Sequence, residues 1–81
     1  MPQVTVRYFA SARAATGLAQ ESFEAATLGQ LLSGLRGRHG ERLGRILDGS
    51  SLLLDGLHVS DPLGSMPDGA QVDVLPPFAG G

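Results

Sequence analysis

The residues of this chain that could do chemistry are its last six, Pro76-Pro77-Phe78-Ala79-Gly80-Gly81. The rest offers little to react with. There is no Cys, which removes disulfides, thiolate nucleophiles and Cys-based metal sites. All six basic residues are Arg, so no Lys is available for Schiff-base formation. His39 and His58 are isolated and lack the spacing of a metal motif, so no metal site is expected. What remains is a carboxylate on Gly81. A carboxylate becomes a useful electrophile only when one oxygen is made a leaving group, and no side chain here can do that. That end is a group on which another active site could close.

The composition of the final segment suits such a role. Two prolines fix φ and stop the chain from continuing a sheet, which launches the segment away from the body. From Leu75 to Gly81 the extended reach is about 20 Å at roughly 3.3 Å per residue. Phe78 is a large apolar side chain with no core of its own, a candidate anchor in a partner. Ala79 is small, and Gly80 and Gly81 carry no Cβ, so they can thread a narrow channel in another active site. A frayed terminus is the alternative, but such ends are richer in Ser, Lys or Glu than in Pro-Pro, an aromatic and Gly-Gly.

These residues need a body to hold them. With 81 residues the chain is one small domain, too short for both a core and a deep enclosed active site. Residues 3–10 (QVTVRYFA) alternate, with Val4, Val6 and Tyr8 on one face and Thr5, Arg7 and Phe9 on the other, the pattern of a half-buried strand. Residues 11–18 are small and polar and read as a loop. Residues 20–25 (QESFEA) form a second strand. Thr27 is an N-cap, and Leu28, Leu31, Leu32 and Leu35 make one stripe of an amphipathic helix. That helix holds Gly29, Gly34 and Gly37, each costing about 1 kcal/mol relative to Ala, so packing on a sheet must sustain it. Gly40 is its stop, with His39 placed well for a helix C-terminus. Residues 42–47 make a further turn of helix. Residues 51–55 and 57–60 are short strands around the hairpin signal Asp55-Gly56. After the turn at Pro67-Asp68-Gly69, residues 70–75 (AQVDVL) are the last strand.

Charge and hydropathy exclude other classes. Arg36, Arg38, Arg42 and Arg45 form a local basic run, read as a solvated helix end. Asp48, Asp55, Asp61, Asp68 and Asp73 follow with no further Arg, and the net charge is −2. Nucleic-acid binding would want the opposite balance. There is neither a signal peptide nor a span-length apolar run, so a cytosolic place is expected and no membrane role. The acidic C-terminal portion would suit a basic groove on a partner.

One helix and strands in the order ββαβββ fit an α+β mixed sheet wrapped over the helix, the β-grasp, with residues 1–75 as the domain and 76–81 as its extended tail. By analogy with that fold, first and last strands are central parallel neighbours. Phe9 and Leu75 then both point away from the helix and make an exposed apolar patch at the root of the tail, the mark of a docking surface. The partner-binding set expected is Phe9, Leu75, Pro76, Pro77, Phe78 and Ala79.

The motifs V-R-Y-F-A-S-A-R at 6–13, Thr27-Leu28, Asp68-Gly69 and the closing P-P-F-A-G-G together resemble the small subunit of molybdopterin synthase, in the family of the thiamin sulfur carrier and ubiquitin. The resemblance runs along the whole chain. It implies that an E1-like adenylating enzyme uses ATP and Mg²⁺ to adenylate Gly81, with Gly80 beside it. A persulfide sulfur donor then leaves a Gly81 thiocarboxylate. The tail next enters the large subunit of molybdopterin synthase, where sulfur passes to a cyclic pyranopterin precursor of the molybdenum cofactor. It implies a heterotetramer with two small subunits flanking a large-subunit dimer, and no cofactor held by this chain. Acidic residues would be expected after Asp68-Gly69, where Ala70 and Gln71 stand. Three other readings stay open: a sulfur carrier for thiamin or cysteine synthesis, a ubiquitin-like tag joined through Gly81, and a binding module without covalent chemistry.

Overall fold

The computed structural model describes residues 1–77. Strand β1 (Gln3–Tyr8) buries Val4, Val6 and Tyr8 and leaves the alternate residues outward, as its period-two pattern requires. Helix α1 (Ala10–Thr16) follows at once, so the loop expected over residues 11–18 is mostly a helix. The reason lies in composition: A-S-A-R-A-A-T is rich in Ala, the strongest helix former, and Ala12 packs fully buried. Gly17, within that expected loop, is the left-handed C-cap at φ 74°, its N–H donating to the Arg13 carbonyl. Strand β1 correspondingly stops at Tyr8 rather than Ala10, and Ala10 takes a positive φ of 49° at the corner.

After β2 (Gln20–Glu24) comes α2 (Leu28–His39), whose apolar stripe of Leu28, Leu31 and Leu35 is buried. Thr27 caps it by accepting from the Gln30 N–H at 3.2 Å, while the Gln30 side chain reaches back to the Ala26 N–H at 2.9 Å. This is a capping-box arrangement shifted by one residue. The next free amides of that helix end, Leu28 and Gly29, donate to the carbonyls of Gly64 and Pro62. Gly40, at φ 90°, ends α2 and starts α3 (Glu41–Gly49), a full helix where a single further turn was expected. Leu43 and Leu47 fix it to the core.

Strands β3 (Ser51–Leu54) and β4 (Leu57–Val59) flank Asp55-Gly56, both at positive φ, the two-residue hairpin expected from Asp-Gly. Strand β5 (Gln71–Leu75) completes a five-stranded sheet in the order β2-β1-β5-β3-β4. The first and last strands pair in parallel at its centre, Val6 with Val72 and Tyr8 with Val74. The core is the concave side of the sheet closed by α2, with α3 against it. This is the β-grasp. No helix among the described residues is long and apolar enough to cross a membrane.

Candidate functional site

Because β1 and β5 run in parallel, both end at the same edge of the molecule. Their register places Phe9 level with Leu75, one step beyond the pair Tyr8 and Val74. Phe9 is 38% exposed and Leu75 half-buried, and β3 extends the same outer face through half-buried Leu53, opposite Asp73. Phe9 thus follows β1 and Leu75 closes β5 at the edge where the tail leaves the sheet.

A charged pair that periodicity did not reveal crosses this apolar face. Arg7 Nε donates to Asp73 Oδ1 at 2.8 Å and Nη2 to Oδ2 at 3.1 Å. Such a two-pronged contact fixes both side chains in one geometry. The Asp73 hydrogen bonds favour the charged guanidinium and raise the Arg7 pKa further. The Arg7 guanidinium also lies over the Phe9 ring, 5.4 Å from its centroid, a cation–π distance. The sequence signal was available: Arg7 and Asp73 stand on the outward positions of two strands expected to be neighbours.

Of the expected tail residues, Pro76 is half-buried and Pro77 exposed. Pro77 passes the end of α3, where a Cβ added to Gly49 would meet its Cγ at 3.6 Å. Phe78, Ala79, Gly80 and Gly81 lie outside the described residues.

A second cluster joins β1, β2 and α2. Glu21, its side chain 11% exposed, accepts from the Tyr8 hydroxyl at 2.5 Å and from Arg38 at 2.8 Å, and its Oε2 lies 2.5 Å from His39 Nε2. Burial acts to raise the Glu21 pKa, but the bonds from Tyr8, Arg38 and His39 outweigh it and leave it lowered. Burial and the Glu21 carboxylate push the Tyr8 hydroxyl far above its usual range. Arg38 meanwhile stacks on Phe23, 4.5 Å from the ring centroid. His39 thus sits at the helix end, as expected, but its partner is Glu21. Arg36 pairs with Asp48, and Arg45 lies 3.8 Å from Glu41, so much of the basic run is engaged within the chain. Among the described residues no buried side-chain polar atom lacks a partner, and the Glu21 cluster reads as a clamp on the fold.

The acidic residues of the C-terminal half are also occupied. Asp68 accepts the Gln3 N–H, Asp55 the Gln71 N–H and Asp61 the Leu63 N–H, while Asp48 and Asp73 hold arginines. Four of these contacts cap turns or join strand ends, or cross the sheet face, so the acid count is explained by the fold. Ala70 is 3% exposed, which explains a small apolar residue where an acid was expected. His58 is exposed on β4. Among the described residues no three His, Cys, Asp or Glu side chains gather to hold a metal ion.

The ThiS family profile matches residues 6–81. Among curated proteins none matches the sequence. A solved structure from Pyrococcus furiosus, a putative molybdopterin converting factor subunit 1, is 27% identical, with 96% of this chain and all of that one covered and a TM-score of 0.84. The small archaeal modifier SAMP1 of Haloferax volcanii aligns at 22% identity over 98% and 99% of the two chains, TM-score 0.82. Subunits 1 and 2 of the molybdopterin-converting factor of Helicobacter pylori, solved as a complex, give 24% identity over 98% and 99%, TM-score 0.75. With a β-grasp sheet, a tail rooted beside its central strands and a family match reaching residue 81, this chain belongs to the ThiS family of ubiquitin-like sulfur carriers.

Proposed function

We propose that this chain is the sulfur carrier of molybdopterin synthase, acting in the cytosol through the carboxylate of Gly81. The observation that carries the reading is the parallel pairing of β1 and β5, which end at the same edge, Phe9 following one strand and Leu75 closing the other where the tail departs. An E1-like enzyme with ATP and Mg²⁺ joins the carboxylate oxygen to the α-phosphate, and pyrophosphate leaves. A persulfide sulfur attacks the acyl carbon and AMP departs. A thiol then cleaves the S–S bond, forming a disulfide with the donor and leaving the Gly81 thiocarboxylate.

The carrier next docks on the large synthase subunit through Phe9, Leu75 and Phe78. Pro76 to Gly81 deliver sulfur to the pyranopterin precursor, in a heterotetramer of two carriers and two large subunits. The domain supplies position and the partners supply catalysis, which agrees with a chain free of Cys and Lys. The 27% identity to a putative molybdopterin converting factor subunit 1 supports this acceptor.

Intact mass tests the reading. Protein from cells with an active pathway should carry one sulfur in place of one oxygen, and deletion of Gly81 should remove that species. Loss of pterin synthesis on deletion of the gene selects the acceptor. Adducts to lysines of other proteins, without the sulfur-bearing species, would instead assign a protein tag.

A further inference from the structure

A shallow cleft of about 260 Å³ opens beside the docking patch, and Arg7, Phe9, Ala10, Arg13 and Gln20 are among its lining residues. Among the described residues no acidic side chain lines it. Arg7 is already compensated, since Asp73 takes its Nε and Nη2, but Nη1 has no partner among the described residues. Arg13, exposed on α1, has no acidic partner among the described residues. The cleft therefore carries one uncompensated positive charge, a second set of free N–H donors and an aromatic wall, in a chain whose net charge is −2.

A partner that covers Phe9 and Leu75 must also cover this cleft. Burying a guanidinium without an acceptor costs more than an ordinary hydrogen bond is worth. Resting on the docking reading above, we infer that Arg13, with Arg7 Nη1 beside it, receives a carboxylate side chain from the large synthase subunit. A phosphate of the reacting substrate is the other anion to weigh. Arg13, however, shares its cleft with Phe9 of the docking face, whereas six residues after Leu75 are enough chain to reach about 20 Å from that root. The anion at Arg13 is accordingly assigned to the docking surface. Arg13 sets which partner fits, and at what salt concentration.

The test measures the affinity of the purified carrier for the large synthase subunit, by calorimetry at low and high salt. Arg13→Glu, at an exposed position, should leave the circular dichroism unchanged and weaken binding roughly tenfold or more at low salt, with a flatter salt dependence. Arg13→Lys should keep most of the affinity. Phe9→Ser should abolish binding. If Phe9→Ser abolishes binding while Arg13→Glu binds as tightly as the unaltered chain, the inference fails and the docking reading stands. If Phe9→Ser has no effect, or the unaltered chain does not bind, both fail together. Competition by inorganic phosphate for Arg13 in the free chain, with unchanged partner affinity in Arg13→Glu, would also overturn the carboxylate assignment.

Discussion

Two glycines on one helix show how little a residue's type says without its neighbours. By propensity Gly34 and Gly37 look equally costly in α2. In the fold, a Cβ on Gly34 would overlap the Phe23 ring, whereas nothing lies within 4 Å of one on Gly37. Gly34 is therefore the groove into which β2 drops its aromatic, a close approach that only a missing Cβ permits. Gly34→Ala should destabilise by about 1–3 kcal/mol through displacement of Phe23. Gly37→Ala should stabilise by about 0.5–1 kcal/mol through helix propensity alone. Urea unfolding of the two variants checks this, and equal shifts of the same sign would refute the packing account. The helix was legible from the Leu stripe; the reason for its glycines was not, because Phe23 comes from a different strand.

At the scale of elements, the Glu21 cluster ties β1, β2 and the end of α2 with hydrogen bonds rather than apolar contacts. Its pH dependence follows from the directions of shift. The lowered Glu21 pKa means that the unfolded chain binds the proton more readily, so this stabilisation is complete above the ordinary value of 4.5 and drains away as pH falls below it. The raised Tyr8 pKa has the opposite sign. Its contribution is complete below the ordinary value of 10.0 and is lost as pH climbs above it. Glu21→Gln should cost about 1–3 kcal/mol at neutral pH, and the gap from the unaltered protein should narrow as pH falls below the ordinary value of 4.5. Denaturation midpoints across pH test it, and a gap independent of pH would exclude the charge as the cause. A hint of this clamp existed in the sequence. In Q-E-S-F-E, Glu21 shares a face with Phe23, and a carboxylate on an inward face needs donors. What no local pattern could supply was their origin, 18 residues on at His39. Helix α1 was missed for the converse reason: its Ala run was read as small and polar when Ala is the best of helix formers. The strands, the hairpin and α2 carried strong periodic or turn signals and stand where they were expected, apart from the shorter end of β1.

At the scale of the whole molecule, the body and the tail have separable duties. Adding residues after Gly81 should abolish sulfur loading, read by intact mass, while leaving the thermal midpoint unchanged, because the described core ends with β5. Coincident loss of loading and of stability would contradict that division. The strand order has one more outcome, in time rather than space. Thr5 pairs with Gln71, 66 positions later, and β5 also supplies the neighbour of β3. Until β5 is made, β1 and β3 both face an empty slot in mid-sheet, so a nascent chain has no stable halfway form and must close in one late, long-range step. Closure also brings the end of β5, and with it the root of the tail, to the end of β1. On the proposed reading, a carrier that offers its end to an activating enzyme has already passed its own folding inspection.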